Sequence, residues 1–357
     1  LSPEALTIRA LGTGAGLTPY LPLSLNPNAT LLENLRVWPA LGLFFLLLYL
    51  INTRQQLQRL VWLFVGVALF EVLYGFWNFH SKSIWGWPNI HTGTRLCGTF
   101  INSNHLAGFL TLAILLGFGL FLGQRQEIPL LKRSTSRKKS LGDLSRAERL
   151  EPKARSNIVL IPLFVLAVGL VFTGSRGGMI SLIVGFAFLA LLIYSQRWRR
   201  SHIPTILIFL ALAVAYSVFL GSGPFLARFL DLHHEGRYHA CKAALAIFQE
   251  FPWLGSGVGT FGDLFSRFQP ANLAGYRFDY VHNDWLQLLA ETGVAGFTLV
   301  AAAWLIFLSG LVKQWQRCQD RFTRGLGLGG LAALAAGSFN ALTEFLFHIP
   351  ALSLIHI

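Results

Sequence analysis

Apolar residues run along this chain in long blocks, each close to the roughly 17–25 residues that a helix needs to cross a bilayer. The blocks fall at 37–52, 57–79, 103–123, 158–173, 179–195, 203–220, 285–312 and 325–347, which predicts eight spanning helices and an all-α, polytopic membrane helix bundle. Trp38, Trp77, Trp198, Trp285 and Trp315 sit near block ends, as aromatic belts do. The longest interval, 221–284, carries a pattern of its own. Within 237–251, Ala240, Ala243, Ala244, Ile247 and Phe248 share one helical face, and Arg237, Lys242 and Glu250 lie off it. That is an amphipathic helix, closed by Pro252.

Composition strengthens the membrane reading. Of 357 residues, 54% are hydrophobic and 13% charged, with a mean hydropathy of +0.54. A soluble domain carries about 25% charged residues to cover its core. The net charge of +13 would suit nucleic acid if the cations formed one patch, but they are sorted by side. Segments 53–59, 124–157, 196–202 and 313–324 hold 19 Lys and Arg with 5 acids. They alternate with 1–36, 80–102, 174–178 and 221–284, which hold 10 with 8 acids. The positive-inside rule makes the first set cytoplasmic. The basic run Lys132–Lys139 is then a topology determinant beside anionic lipid, and no nucleic-acid partner is expected.

The chain thus divides into N-terminal spans over 1–220 with the basic loop 124–157, an outer loop over 221–284, and C-terminal spans over 285–357. It opens on Leu1 and its one methionine is Met179, so further membrane segments are expected beyond its ends. Cys97, Cys241 and Cys318 form no CxxC pair and no metal-ligand spacing.

The chemistry-bearing residues concentrate on the outer set. Arg176, in TGSRGG, is a cation between two closely spaced spans; it either anchors a helix end or meets an anion, with Gly177 and Gly178 giving a ligand close approach. Arg237 opens the amphipathic helix, where an anion bound at the helix start would suit it. His282, in DYVHND, can take a proton from a hydroxyl, oriented by Asp279, Asp284 or Asn283. Arg95 is a further outer cation. Asn102 and Asn104 cap the third span, His105 is structural, and His348 lies near enough to the last span's outer end to join the site. Gly257, Gly259 and Gly262 satisfy GxGxxG, but no strand precedes them, so they read as a turn between interfacial helices. Three acids, Glu71, Glu291 and Glu344, fall inside blocks. No set of residues has metal-ligand spacing, so protein cations would neutralise a phosphate leaving group. Arginine forks suit phosphate or diphosphate, which points to transfer from a lipid-linked phosphate.

The ordered motifs RLCGTFINSNHLAGFL, FTGSRGGMISL, GRYHACKAALAIFQEFPWLGSGVGTF and VHNDWLQLLAETGVAGF resemble the O-antigen ligase family, from about Arg95 to His348. The family includes lipopolysaccharide O-antigen ligases, some O-antigen polymerases and protein O-oligosaccharyltransferases. The resemblance implies a C-type membrane glycosyltransferase with a large periplasmic loop, in the bacterial inner membrane. It would move a glycan from undecaprenyl diphosphate to a hydroxyl, most simply on lipid A-core, with no cofactor and no metal. By motif matching, Arg176 and Arg237 correspond to the family's diphosphate-binding arginines and His282 to its proposed base. Arg95 is a further donor- or acceptor-binding residue. The inner loop 124–157 is longer and more basic than the family pattern.

Ligase, polymerase and protein-directed transferase differ only in acceptor. A transporter for bicarbonate or a similar anion is the reading from another class. It would place ionisable groups at the midplane, where this chain offers only acids, which repel an anion.

Overall fold

The structure, a computed structural model, describes residues 23–81, 83–85, 87–88, 95–135, 157–195, 203–219, 235–269, 278–345 and 348. The side chains of Lys132–Lys139 and the first part of the outer loop, 220–234, lie outside the described residues. Among the described residues the regular structure is helical apart from one two-residue antiparallel pair, Ser83–Ile84 with Trp87–Pro88. Among the described residues five helices are long and apolar enough to cross a membrane: Pro27–Leu50, Arg54–Phe79, Ser103–Arg125, Arg176–Tyr194 and Asp284–Arg317. The chain is a polytopic helical membrane protein.

Two compact units divide the chain. One takes residues 51–231 and 310–340. It contains α2 (Arg54–Ser81), α3 (Ser103–Thr135), α4 (Leu160–Phe172), α5 (Arg176–Ser195), α6 (Ile203–Phe219) and α10 (Arg321–Asn340). Helix α3 is buried almost all round, with residues from Leu106 to Leu122, apart from the half-buried Leu116, shut off from the surface. Its closest partner is α10, and glycines explain how they meet. Gly119 and Gly123 face Gly325 and Gly329, a four-residue spacing on both helices. A methyl group on Gly329 would lie 2.6 Å from the Gly119 Cα and the Leu115 carbonyl oxygen. In lipid, where apolar surface alone does not drive helices together, such backbone approach supplies the packing. Buried Glu71 in α2 accepts from the Thr99 amide at 2.7 Å and its hydroxyl at 2.8 Å, so one expected intramembrane acid is a structural clamp.

The other unit takes residues 1–50, 232–309 and 341–357. It contains α1 (Pro27–Leu50), α7 (Glu235–Glu250), α8 (Phe261–Phe268) and the start of α9 (Asp284–Arg317). Helix α7 buries the face foreseen for it: Ala240, Ala243, Ala244 and Ile247 pack with Phe251, Phe261, Phe265, Val281 and Ala290. Helix α1 starts earlier than its apolar block, at Pro27, because Asn26 caps it by accepting from the Ala29 amide at 3.1 Å and proline suits the first helical position. That start is fastened to the outer loop: Asn26 donates to Asp263 at 2.7 Å and Thr30 to the Val258 carbonyl at 2.7 Å.

Helix α9 is broken. Gly293 has φ 64° and ψ −172°, so the hydrogen-bond ladder stops there. The loop after α7 restores what the break frees. Ser256 and Gly257 amides donate to the Ala290 and Glu291 carbonyls at 3.2 and 2.9 Å, while Val294 and Ala295 donate to Pro252 and Trp253 at 2.8 and 3.2 Å. A Cβ on Gly293 would stand 2.5 Å from the Trp253 carbonyl carbon.

The last apolar block departs from expectation. Helix α10 ends at Asn340, and residues 341–345 turn, held where the Asp284 amide donates to the Ala341 carbonyl at 2.8 Å. Glu344 therefore lies outside any helix, not within a span.

Candidate active site

In the unit that contains α7 and α9, three elements bring charged groups together. Arg237 stands in the first turn of α7, His282 just before α9, and Glu344 in the turn after α10. The Glu344 carboxylate accepts from Arg237 Nη2 through one oxygen and meets His282 Nδ1 at 3.2 Å through the other. Arg237 Nη1 also donates to the Thr343 carbonyl at 3.3 Å. The Glu344 side chain is 2% exposed, whereas Arg237 and His282 keep 33% and 20%. A carboxylate engaged by arginine has only lone pairs to offer, so His282 Nδ1 carries the proton and donates. In the neutral imidazole this tautomer leaves a lone pair on Nε2.

The backbone at His282 is itself unusual, with φ 59° in the left-handed region. Such a residue costs on the order of 1–3 kcal/mol, held by its surroundings. Here Asn283 caps α9 by accepting from the Leu286 amide at 3.0 Å, and the Val281 amide donates to the Gln287 side chain at 3.0 Å. Both neighbours of His282 are thereby pinned.

Asp284, one of the residues expected to orient His282, reaches the other histidine. It pairs with His348, Oδ1 to Nδ1 at 2.7 Å. Burial pulls the His348 imidazole towards neutrality, but the Asp284 hydrogen bond and charge, with Glu291 and Glu33 behind, hold it above the ordinary histidine range. The two histidines are linked by rings. His282 lies edge-on to Phe345 at 4.8 Å, Phe345 stacks on Tyr280 at 4.6 Å, and Tyr280 lies 5.0 Å from His348. Arg36 on α1 donates to the Tyr280 hydroxyl at 2.9 Å.

The GxGxxG stretch is a turn up to Thr260, as its context predicts, and its last glycine, Gly262, lies in α8. Gly255, Gly257 and Gly259 all have positive φ. The Gly259 and Phe261 amides, which a nucleotide loop would aim at phosphate, donate to Glu291 at 2.8 and 3.1 Å. The acid expected at mid-span thus holds this loop.

Arg95 and Arg176 belong to the other compact unit, which contains the TGSRGG turn. Gly174, with φ 61°, closes α4, and Ser175 caps α5 by accepting from the Gly178 amide at 3.2 Å. Arg176 is the first residue of α5 and half-buried. Arg95 Nε donates to the Thr173 carbonyl at 2.6 Å and Nη2 to Asn104 at 2.5 Å. Asn104 is therefore a partner of Arg95, and the cap on α3 is Asn102, which accepts from the Asn104 amide at 2.9 Å. Gly178 serves packing rather than ligand approach, since a Cβ there would lie 2.6 Å from Ala107 Cβ.

Residues 161–301 match the sequence model of the O-antigen ligases. The matched stretch is similar to that family and covers 141 of the 357 residues. It includes Arg176, Arg237 and His282, while Arg95, Glu344 and His348 lie outside it. No curated protein matches the chain. The match supports a membrane protein of ligase or polymerase type that transfers glycans, with a lipid-linked donor and an acceptor.

Sequence reasoning missed Glu344, because it read the residue as part of a hydrophobic span. The polar residues Asn340 and Thr343 around it are the signal that could have separated it from the helix.

Proposed function

We propose that the chain is a glycosyltransferase of the outer membrane face that moves a glycan from undecaprenyl diphosphate to an acceptor hydroxyl, most simply one on lipid A-core. The observation that carries this reading is the shared Glu344 carboxylate, which couples Arg237 to His282. The acceptor oxygen attacks the anomeric carbon as its proton passes to His282 Nε2. The bond from that carbon to the phosphate oxygen breaks, and the diphosphate leaves with the electron pair. Inversion at the anomeric carbon follows from one displacement. Arg237 stabilises charge growing on the leaving group, and Arg176 has the same role by motif. Glu344 touches no substrate in this scheme; it is a positioning residue that fixes the imidazole tautomer and its direction. Arg95 and His348 bind substrate. The reaction needs no metal, because guanidinium groups do what a cation would.

The test offers purified protein a lipid-linked oligosaccharide and three acceptors: lipid A-core, a growing glycan and a protein. Product mass reads the acceptor. Transfer to lipid A-core that is lost in both His282→Ala and Arg237→Ala, and kept in the presence of a chelator, is the expected result. A product on either other acceptor makes the chain a polymerase or a protein O-oligosaccharyltransferase. Unchanged transfer in both variants removes the mechanism.

A further inference from the structure

A groove of about 660 Å³ runs between α1 and the start of α9, within one compact unit. Ligand pockets occupy about 300–1,000 Å³. Its walls are apolar: Val37 and Phe44 from α1, with Leu288, Val300, Trp304 and Phe307 from α9. On α1 the apolar wall from Arg36 to Phe44 is roughly 12 Å long at about 1.5 Å per residue. The polar lining is confined to Glu33, Asn34, Arg36, Asp284, Glu291 and His348. The lining thus divides into an apolar body and a polar mouth, which matches an amphiphile.

The mouth also says which head group fits. Its two cations already hold counterions: Arg36 meets Glu33 at 2.5 Å and His348 meets Asp284 at 2.7 Å. Glu291 adds a third carboxylate, so the mouth has no surplus of positive charge for a diphosphate. Carboxylates that accept and an arginine that donates suit hydroxyl groups, which do both. The mouth also adjoins His282 through the stack of His348, Tyr280 and Phe345.

We infer that this groove seats the hydrocarbon chain of an amphiphile whose uncharged, hydroxyl-bearing head meets Arg36, Asp284 and His348. The inference goes beyond the proposed transfer reaction, and its test does not depend on that reaction. Full-length protein in phosphatidylcholine nanodiscs is photolabelled with a ten-carbon alkyl glucoside that has a diazirine at the chain end, and in parallel with the matching alkyl phosphate. The glucoside labels Phe44, Trp304 or Phe307, and excess unlabelled decyl glucoside competes. Ala303→Trp and, from the opposite wall, Ala40→Trp each fill the groove and reduce that labelling at least tenfold, with the thermal unfolding profile retained as the check on folding. His282→Ala labels as wild type does, so loss of transfer and loss of binding are read separately. Labelling that both tryptophan variants leave unchanged, or that spreads over all lipid-facing helices, overturns the assignment. So does stronger labelling by the alkyl phosphate, which would give the groove to a charged lipid such as the donor.

Discussion

Replacing Glu344 with glutamine keeps the shape of the side chain and removes its charge. The wild-type carboxylate serves two partners at once, His282 Nδ1 at 3.2 Å and Arg237 through its other oxygen. Glutamine has one acceptor oxygen, so one partner loses its bond. A hydrogen bond to a charged group contributes about 1.5–3 kcal/mol. At about 1.36 kcal/mol per decade, loss of that bond from the transition state slows transfer by about tenfold to 150-fold. The stability cost is smaller than the ~3–5 kcal/mol of a fully buried broken pair, because Arg237 is a third exposed and water can reach it; about 1–2 kcal/mol is expected. The assay is single-turnover transfer from a lipid-linked glycan, with thermal unfolding in parallel. The expected signature is a fall in kcat of about 10²-fold with acceptor KM changed by less than about threefold. A folded Glu344→Gln protein that transfers at the wild-type rate would refute the positioning role.

Gly293→Ala forces a left-handed alanine and sets a methyl group 2.5 Å from the Trp253 backbone, so a loss of several kcal/mol, on the order of 3, is expected by thermal unfolding. Gly310→Ala, in the same helix with nothing within 4 Å, is the contrast and should be neutral or stabilising by up to about 1 kcal/mol. Gly329→Leu pushes α10 off α3 and should abolish the folded protein on size-exclusion chromatography. The raised His348 pKa gives a pH dependence with a definite sign. Its pairing with Asp284 stabilises fully below the unfolded-state value of about 6.5 and is lost as pH rises through the higher folded value. Unfolding temperature should therefore fall across that window, and His348→Asn should flatten the fall.

What the sequence revealed depended on how local the cause was. The amphipathic face of α7 was legible because Ala240, Ala243, Ala244 and Ile247 repeat within a single helix and one buried surface explains them. The glycine turn was legible as a turn from its missing strand. The break in α9 was not, since apolar residues continue on both sides of Gly293 and hydropathy has no term for backbone partners. The end of α10 was hidden in the same way: the apolar pattern runs on past Asn340. Partners of His282 were ambiguous because three nearby polar residues competed on paper. The one that holds it lies 62 residues away. Arg237 reaches the same acid across 107 residues. Pairing over such distances follows from the fold, not from spacing.

The exchange of hydrogen bonds between residues 252–257 and 290–295 makes two distant stretches a single heritable piece. Neither can be replaced alone without stranding amides or carbonyls of the other. A chimera that takes its outer loop from a relative must bring that relative's 290–295 equivalent with it. Diversity in this loop is consequently free only where the chain does not plug the broken helix, and any exchange of the loop has to be engineered on both sides of that seam.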